Sequence, residues 1–336
     1  MRPRNTPQEF PQEIAMTPTF VPALVLGAIA LAAAAPAAAE YPEKPIRFVV
    51  PFASGTATDQ IARAFGQSIT AEAGQQVIID NKPGGNGFIG AIEGARAAPD
   101  GYTVFITTNT THAAAEHLYK KLPYDPVKDF APISGLGKGG QIMVVNSKSD
   151  FKNVKEFVDA AKKSPGKLTF GSGSSSSRIA GEMLQQLAGI QILHVPYKSN
   201  TFAVTDLLGG QIDMMITDTA TGMPHIKSGA LRPLGASTTT RVAMVPDVPT
   251  IAEAGVPGYD MGYWFAAYAP ANTPKPVVDK LNAWFASAAK TAAAKTFFAN
   301  SGVEPFITTP AELATFQAAE SKKWEEIVRK AGIEKE

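Results

Sequence analysis

The chain has 336 residues, 45% of them hydrophobic and 18% charged, with 31 Lys and Arg against 30 Asp and Glu and no cysteine. At roughly 150 residues per domain this length allows about two domains with real cores. The net charge of +1 without a Lys/Arg block argues against a nucleic-acid binder, which needs clustered cations. The lack of cysteine removes disulfides, iron-sulfur clusters, thiolate zinc sites and thiol nucleophiles.

The first element is a leader. From Phe20 to Ala35 the chain is almost wholly apolar, Ala37-Ala38-Ala39 precedes Glu40, and Arg2 and Arg4 lie ahead of the run, with Met16 as an alternative start. The run is shorter than the ~20 residues of a membrane span and ends in an A-x-A site, so residues 1–39 read as a secretory signal cleaved after Ala39. No Cys at the cleavage point excludes a lipid anchor, and the mature protein is expected in the periplasm. Nucleotides and NAD are scarce there, which disfavours a cytoplasmic type of enzyme.

Strand and helix signals then alternate. Pro45 to Pro51 is a strand, followed by a polar turn and a helix over Asp59 to Ala73 with apolar Ile61, Ala62, Phe65 and Ile69 on one face. Strand 77–79 precedes a helix from about Gly90, strand 102–107 a helix over 112–119, and a helix covers 154–163. Strand 168–171 leads to a helix over 179–188, and strand 212–216 to a helix near His225. Such alternation implies an α/β protein with mainly parallel sheets. Two terminal helices, 276–294 and 310–331, each open on a proline. The stretches 130–145 and 259–270 are extended and Gly- or aromatic-rich, and read as two crossings between lobes.

Two turns carry the strongest local signal. Phe52-Ala53-Ser54-Gly55-Thr56-Ala57-Thr58-Asp59 and Ser172-Gly173-Ser174-Ser175-Ser176-Ser177-Arg178 each place hydroxyls and Gly at a helix start. Free backbone N–H groups and the positive end of the helix dipole suit an anion there; each turn taken alone is equally an ordinary N-cap. Arg178 opposes the dipole of its own helix. An anionic ligand, pairing with Glu182 four residues on, or solvation would each offset that.

Three catalytic signals do not hold. Gly85-Asn86-Gly87-Phe88-Ile89-Gly90 fits G-x-G-x-x-G, but it belongs to the second strand-helix unit, and the next strand lacks a ribose-binding acid. His112 and His117 are five residues apart, about 140° around a helix, so they cannot share a metal from one face. The serines of 172–177 lie in no G-x-S-x-G elbow, and His194 and His225 have no triad acid in pattern.

From Tyr41 onward the chain resembles the solute-binding proteins of tripartite tricarboxylate transporters, the Bug or TctC family. The markers are Tyr41-Pro42-Glu43-Lys44-Pro45-Ile46-Arg47, Pro51-Phe52, Asn81-Lys82-Pro83-Gly84, Ala98-Pro99-Asp100-Gly101-Tyr102-Thr103, Tyr119-Lys120-Lys121-Leu122-Pro123-Tyr124-Asp125-Pro126, His194-Val195-Pro196-Tyr197-Lys198, Asp206-Leu207-Leu208-Gly209-Gly210-Gln211 and Pro246-Asp247-Val248-Pro249-Thr250. The resemblance implies a two-lobed type II periplasmic-binding-protein-like α/β fold that closes as a flytrap, without cofactor, metal or catalysis. It also implies a small carboxylate gripped by the two turns and delivered to membrane permease subunits. Expected lobes are 40–142 with 264–336, and 143–263, in a monomer.

Expected ligand contacts are Phe52, Ser54, Gly55, Thr56, Thr58 and Asp59 from the first turn and Ser172, Ser174, Ser175, Ser176 and Arg178 from the second. Thr108, Asn109, Thr217, Asp218, Tyr263 and Trp264 stand at the cleft edges. Three departures bear on the ligand. Thr56 replaces the second of two glycines, Arg178 stands where the family usually has histidine, and Ile216-Thr217-Asp218 replaces Phe-Asp-Asn. An arginine can hold a carboxylate bidentately, and with the aromatic pair it favours a mono- or dicarboxylate that is aromatic. The loss of the aspartate at 217 weakens an amino-acid ligand unless Asp218 substitutes. Rivals are a co-receptor that presents its ligand to a membrane sensor and a periplasmic serine hydrolase.

Overall fold

The computed structural model describes residues 41–330 and 332–336, with Thr6 and Gln8. The leader and its cleavage point otherwise lie outside the described residues. Strand β1 (Ile46–Val50) is buried at Ile46, Phe48, Val49 and Val50, a near-continuous run typical of a parallel strand covered on both faces. It feeds α1 (Ala57–Ala73), whose Ile61, Ala62, Phe65 and Ile69 are buried. Phe48 stacks on Phe285 at 5.6 Å, and Phe65 meets the same ring at 5.8 Å. Each such ring contributes about 1.5–3 kcal/mol of burial.

Next come β2 (Val77–Asn81), α2 (Phe88–Arg96) and β3 (Thr103–Thr108). A π-helical turn (Thr110–Ala114) then runs into the short α3 (Ala115–Leu118) in place of the regular helix expected over 112–119. Strand β4 (Phe130–Asn146) precedes α4 (Val154–Lys163), β5 (Thr169–Ser172), α5 (Ser175–Ala188), β6 (Leu193–Pro196) and α6 (Asn200–Leu208). The remaining elements are β7 (Met214–Asp218), α7 (Thr219–Lys227), β8 (Leu231–Ala236), β9 (Gly262–Pro270), α8 (Lys275–Ala288), α9 (Ala292–Ser301), β10 (Glu304–Pro305) and α10 (Pro310–Lys330). The single helix expected over 276–294 is thus two. Thr291 accepts a hydrogen bond from Ala294 N and starts a new helix there.

Two groups of strands share β4. In the first, β1 is parallel to β2 and β3, β9 is antiparallel to β3, and the opening part of β4 is antiparallel to β9 as far as the pair Gly140 and Gly262. In the second, β4 is antiparallel to β7 and β8 from Gln141 onward, and β5 lies parallel to β7 and β6. Gln141 is therefore the residue at which β4 passes from one group to the other. Gly139 and Gly140 precede it because a Cβ there would lie 2.9 Å from the Tyr263 hydroxyl and 2.8 Å from Thr238 Oγ1. Buried Ser237 ties this passage together. Its Oγ accepts from Gln141 N at 2.7 Å and donates to Met261 O at 2.5 Å, just before β9.

Beyond the passage, side chains of β4 alternate between two cores, as the period of a strand requires. Ile142 and Val144 pack with Val204, Leu207 and Met215, while Met143 and Val145 pack with Phe157, Phe170 and Ile216. Among the described residues no helix is long and apolar enough to cross a membrane.

Candidate functional site

Four helices begin at one cavity. Thr56 caps α1, with its Oγ1 accepting from Asp59 N at 3.4 Å. Ser174 caps α5, accepting from Ser177 N at 3.3 Å. Asp218 caps α7, accepting from Thr221 N at 2.7 Å, and Asn200 opens α6. The space between them, about 30 Å³, is lined by Phe52, Thr56, Thr58, Thr108, Asn109, Gln141, Ser174, Ser176, Asn200, Asp218, Tyr263 and Phe265. That is room for about two water molecules in the form described. None of the lining residues is Lys, Arg or His. Four dipole ends and a set of hydroxyls therefore provide the attraction for an anion.

Elements from both strand groups meet across the cavity. Ala57 N donates to Thr221 Oγ1 at 3.2 Å, Gln60 Nε2 donates to Ala220 O at 3.3 Å, Thr110 and Ser176 hydroxyls lie 3.4 Å apart, and Tyr263 reaches Thr219 Oγ1 at 2.9 Å.

The expected site residues divide by direction. Phe52, Thr56, Thr58, Thr108, Asn109, Ser174, Ser176 and Asp218 face the cavity, and so does Tyr263. Ser54, Gly55 and Asp59 shape the first turn instead. Asp59 Oδ2 accepts from Gly55 N at 2.9 Å, Ser54 Oγ at 3.3 Å and Arg63 Nε at 2.9 Å, and its Oδ1 accepts from Asn81 at 3.0 Å. Burial pushes the Asp59 pKa up, but the hydrogen bonds from Arg63, Gly55 and Asn81 outweigh it and hold the group below the usual carboxylate range.

Arg178 is not in the cavity lining. Its guanidinium lies 2.5 Å from Glu336 Oε1 and 4.0 Å from Glu182, so glutamates offset its conflict with the α5 dipole. Trp264 also points elsewhere. Alternation along β9 sends Tyr263 and Phe265 to the cavity and Trp264 to the opposite side, where Nε1 donates to Glu320 at 3.1 Å and the ring meets Phe316. Thr217 turns towards Gly222, and Ser175 lies outside the lining. Ser172 bonds His194 Nε2 at 2.7 Å. Burial, helped by the charge of Arg178, pushes that imidazole down to about 4, leaving it neutral at pH 7.

Asn200, Gln141 and Phe265 were not anticipated. Asn200 Oδ1 accepts from Gly173 N at 2.9 Å and Ser177 Oγ at 3.0 Å, while Nδ2 donates to Asp218 Oδ2 at 3.4 Å, so one amide joins the second turn to the α7 cap. Its position after Lys198-Ser199 at a helix start was the available signal. Asp218 lines the cavity. Burial raises its pKa more than the hydrogen bonds from Thr221 and Asn200 lower it. Among the described residues, no group of three or more His, Cys, Asp or Glu could hold a metal ion.

Residues 61–333 match the family described as tripartite tricarboxylate transporter family receptor, TctC. Among solved structures the chain is similar to the periplasmic binding protein BugD, at 33% identity and TM-score 0.84 over 88% of this chain and 100% of that one. An R. palustris protein solved with adipate is 31% identical, at TM-score 0.85 over 88% of this chain and 100% of its own. MatC from Rhodopseudomonas palustris, solved with bound malate, is 31% identical at TM-score 0.81, over 86% and 100%.

Proposed function

Since the chain belongs to the tripartite tricarboxylate transporter receptor family, a family of periplasmic solute-binding proteins and not of enzymes, we propose that it captures a small carboxylate between two lobes and hands it to membrane permease subunits. The observation that carries this reading is the convergence of four helix N-termini and their hydroxyls on one cavity without a cationic side chain. Adipate and malate in structural neighbours support the ligand class. The lobes are 40–142 with 264–336, and 143–263, and they part about the passage at Gln141 and Ser237 to admit the ligand. Closure is a population shift driven by contacts that exist only when both turns surround the acid.

The protein acts as a monomer in the periplasm after loss of residues 1–39. Phe52, Tyr263 and Phe265 on the cavity wall support an aromatic acid as one choice of ligand. A role as co-receptor for a membrane sensor uses the same residues and differs only in the partner. The serine-hydrolase rival fares worse. Ser174 has hydroxyl and helix N–H partners, and Ser172, which does meet an imidazole, is outside the cavity.

A melting-temperature panel of aliphatic and aromatic mono-, di- and tricarboxylates and amino acids tests the reading. An acid at 100 times its Kd stabilises by about 2.7 kcal/mol, an upward shift of several degrees for a chain this size. Ser176→Ala is expected to reduce the shift, and a panel in which no acid raises the melting temperature refutes the proposal.

A further inference from the structure

Resting on the carboxylate reading, we propose that the ligand carries a hydrogen-bond donor, a hydroxyl or an ammonium, beside its carboxylate, and that Asp218, Gln141 and Asn109 recognise it. The cavity has more acceptors than a plain carboxylate can use. Asn109, with no exposed surface, donates through Nδ2 to Gly262 O at 3.4 Å; this orients the amide and leaves Oδ1 without a partner. Gln141, 1% exposed, has an unpartnered Oε1 in the same lining. The Asp218 carboxylate, which accepts from the Thr221 N–H and hydroxyl and from Asn200 Nδ2, lines the same cavity.

An unsubstituted carboxylate brings only acceptors. It would satisfy the helix N–H groups and hydroxyls while leaving two buried amide oxygens unpaired and placing its own charge beside that of Asp218. Buried polar groups without partners are costly and uncommon. A donor on the ligand removes both conflicts at once. Asp218, Gln141 and Asn109 line the same cavity as the helix starts, so carboxylate and donor lie within a few bonds of each other, as in a 2-hydroxy or 2-amino acid. Sites built to hydrogen-bond such a group reject analogues lacking it strongly.

Calorimetric Kd values for matched triplets test this: succinate, malate and aspartate; adipate, 2-hydroxyadipate and 2-aminoadipate; phenylacetate, mandelate and phenylglycine. On whichever skeleton binds, the hydroxy or amino acid is expected to bind at least about tenfold tighter than the unsubstituted acid. The tighter of the two identifies the donor. Asp218→Asn, which keeps the α7 cap, should bring that ratio within about threefold. Gln141→Met should lower it independently. Equal or tighter binding of the unsubstituted acid, or a ratio unchanged in both variants, overturns the inference and leaves the carboxylate reading standing. Absence of binding by every acid overturns both.

Discussion

His112 is enclosed by aromatic rings, with its centroid 4.1 Å from Tyr268 and 4.6 Å from Phe130; Nδ1 lies 3.1 Å from Thr111 Oγ1, and Nε2 has no partner. Burial pushes its pKa down to about 3. The native state therefore excludes a proton that the unfolded chain accepts near pH 6.5. Since the folded value is the lower one, the contribution to stability is complete above pH 6.5 and is lost as pH falls from there towards 3. Between pH 7 and pH 5 that loss is about 2 kcal/mol. His112→Phe keeps a planar apolar ring against Tyr268 and Phe130 without the titration. Urea unfolding at the two pH values should show a stability gap about 2 kcal/mol smaller in the variant than in the parent, and an unchanged gap would refute the assignment.

At the scale of elements, the site is a junction of helix starts, and helix starts are written locally. Ser, Thr and Asp ahead of apolar runs marked the caps of α1 and α5 in the sequence, and most of the strand and helix order was legible from the same punctuation. Long-range packing was not legible. The dipole conflict at Arg178 left a ligand, Glu182 or solvent to offset it; Glu182 lies 4.0 Å away, but the nearer carboxylate is that of Glu336, 158 residues away. Trp264 was chosen for its ring, while the phase of β9, fixed by pairing with β3 and β4, decides which rings face inward. Asn200 matters through its bond to Gly173, which depends on backbone contact between two turns distant in sequence. That contact makes a prediction. A Cβ at residue 173 would fall 1.9 Å from Ser199 C and 2.2 Å from Asn200 N, backbone atoms that cannot swing aside. Gly173→Ala should lower stability by about 1–3 kcal/mol and abolish acid-induced thermal shifts by displacing Ser174 and Ser176. Gly189→Ala, at φ +60 but in open space, should cost about 1 kcal/mol and retain the shifts. Equal retention in both variants would refute the claim that this contact aligns the second turn.

Over the whole molecule, the proposed closure has a contact outside the cavity. Glu336 is held by its backbone to the segment after α3, with its N donating to Leu118 O at 2.9 Å and its O accepting from Lys120 N at 2.8 Å. Its carboxylate grips Arg178 in the first turn of α5, the helix that presents Ser174 and Ser176 to the cavity. This pair joins α5 to the end of α3 at a distance from the cavity; on the proposed division into lobes it crosses from one to the other and favours the closed population. Both partners have solvent-exposed surface, with side chains 22% and 52% exposed, so screening limits the pair to about 0.5–1 kcal/mol. Arg178→Ala and Glu336→Gln should each weaken acid binding about two- to fivefold. The double variant should be no weaker than either single one, and the differences should fade in 0.5 M salt as the Debye length shrinks. A direct ligand contact by Arg178 gives another pattern. Arg178→Ala would then lose a desolvated charge pair, about 30-fold or more in affinity, whereas Glu336→Gln would leave binding intact or strengthen it by freeing the guanidinium. Calorimetry on these variants at two salt concentrations therefore decides whether Arg178 acts on the acid or on the equilibrium between open and closed lobes.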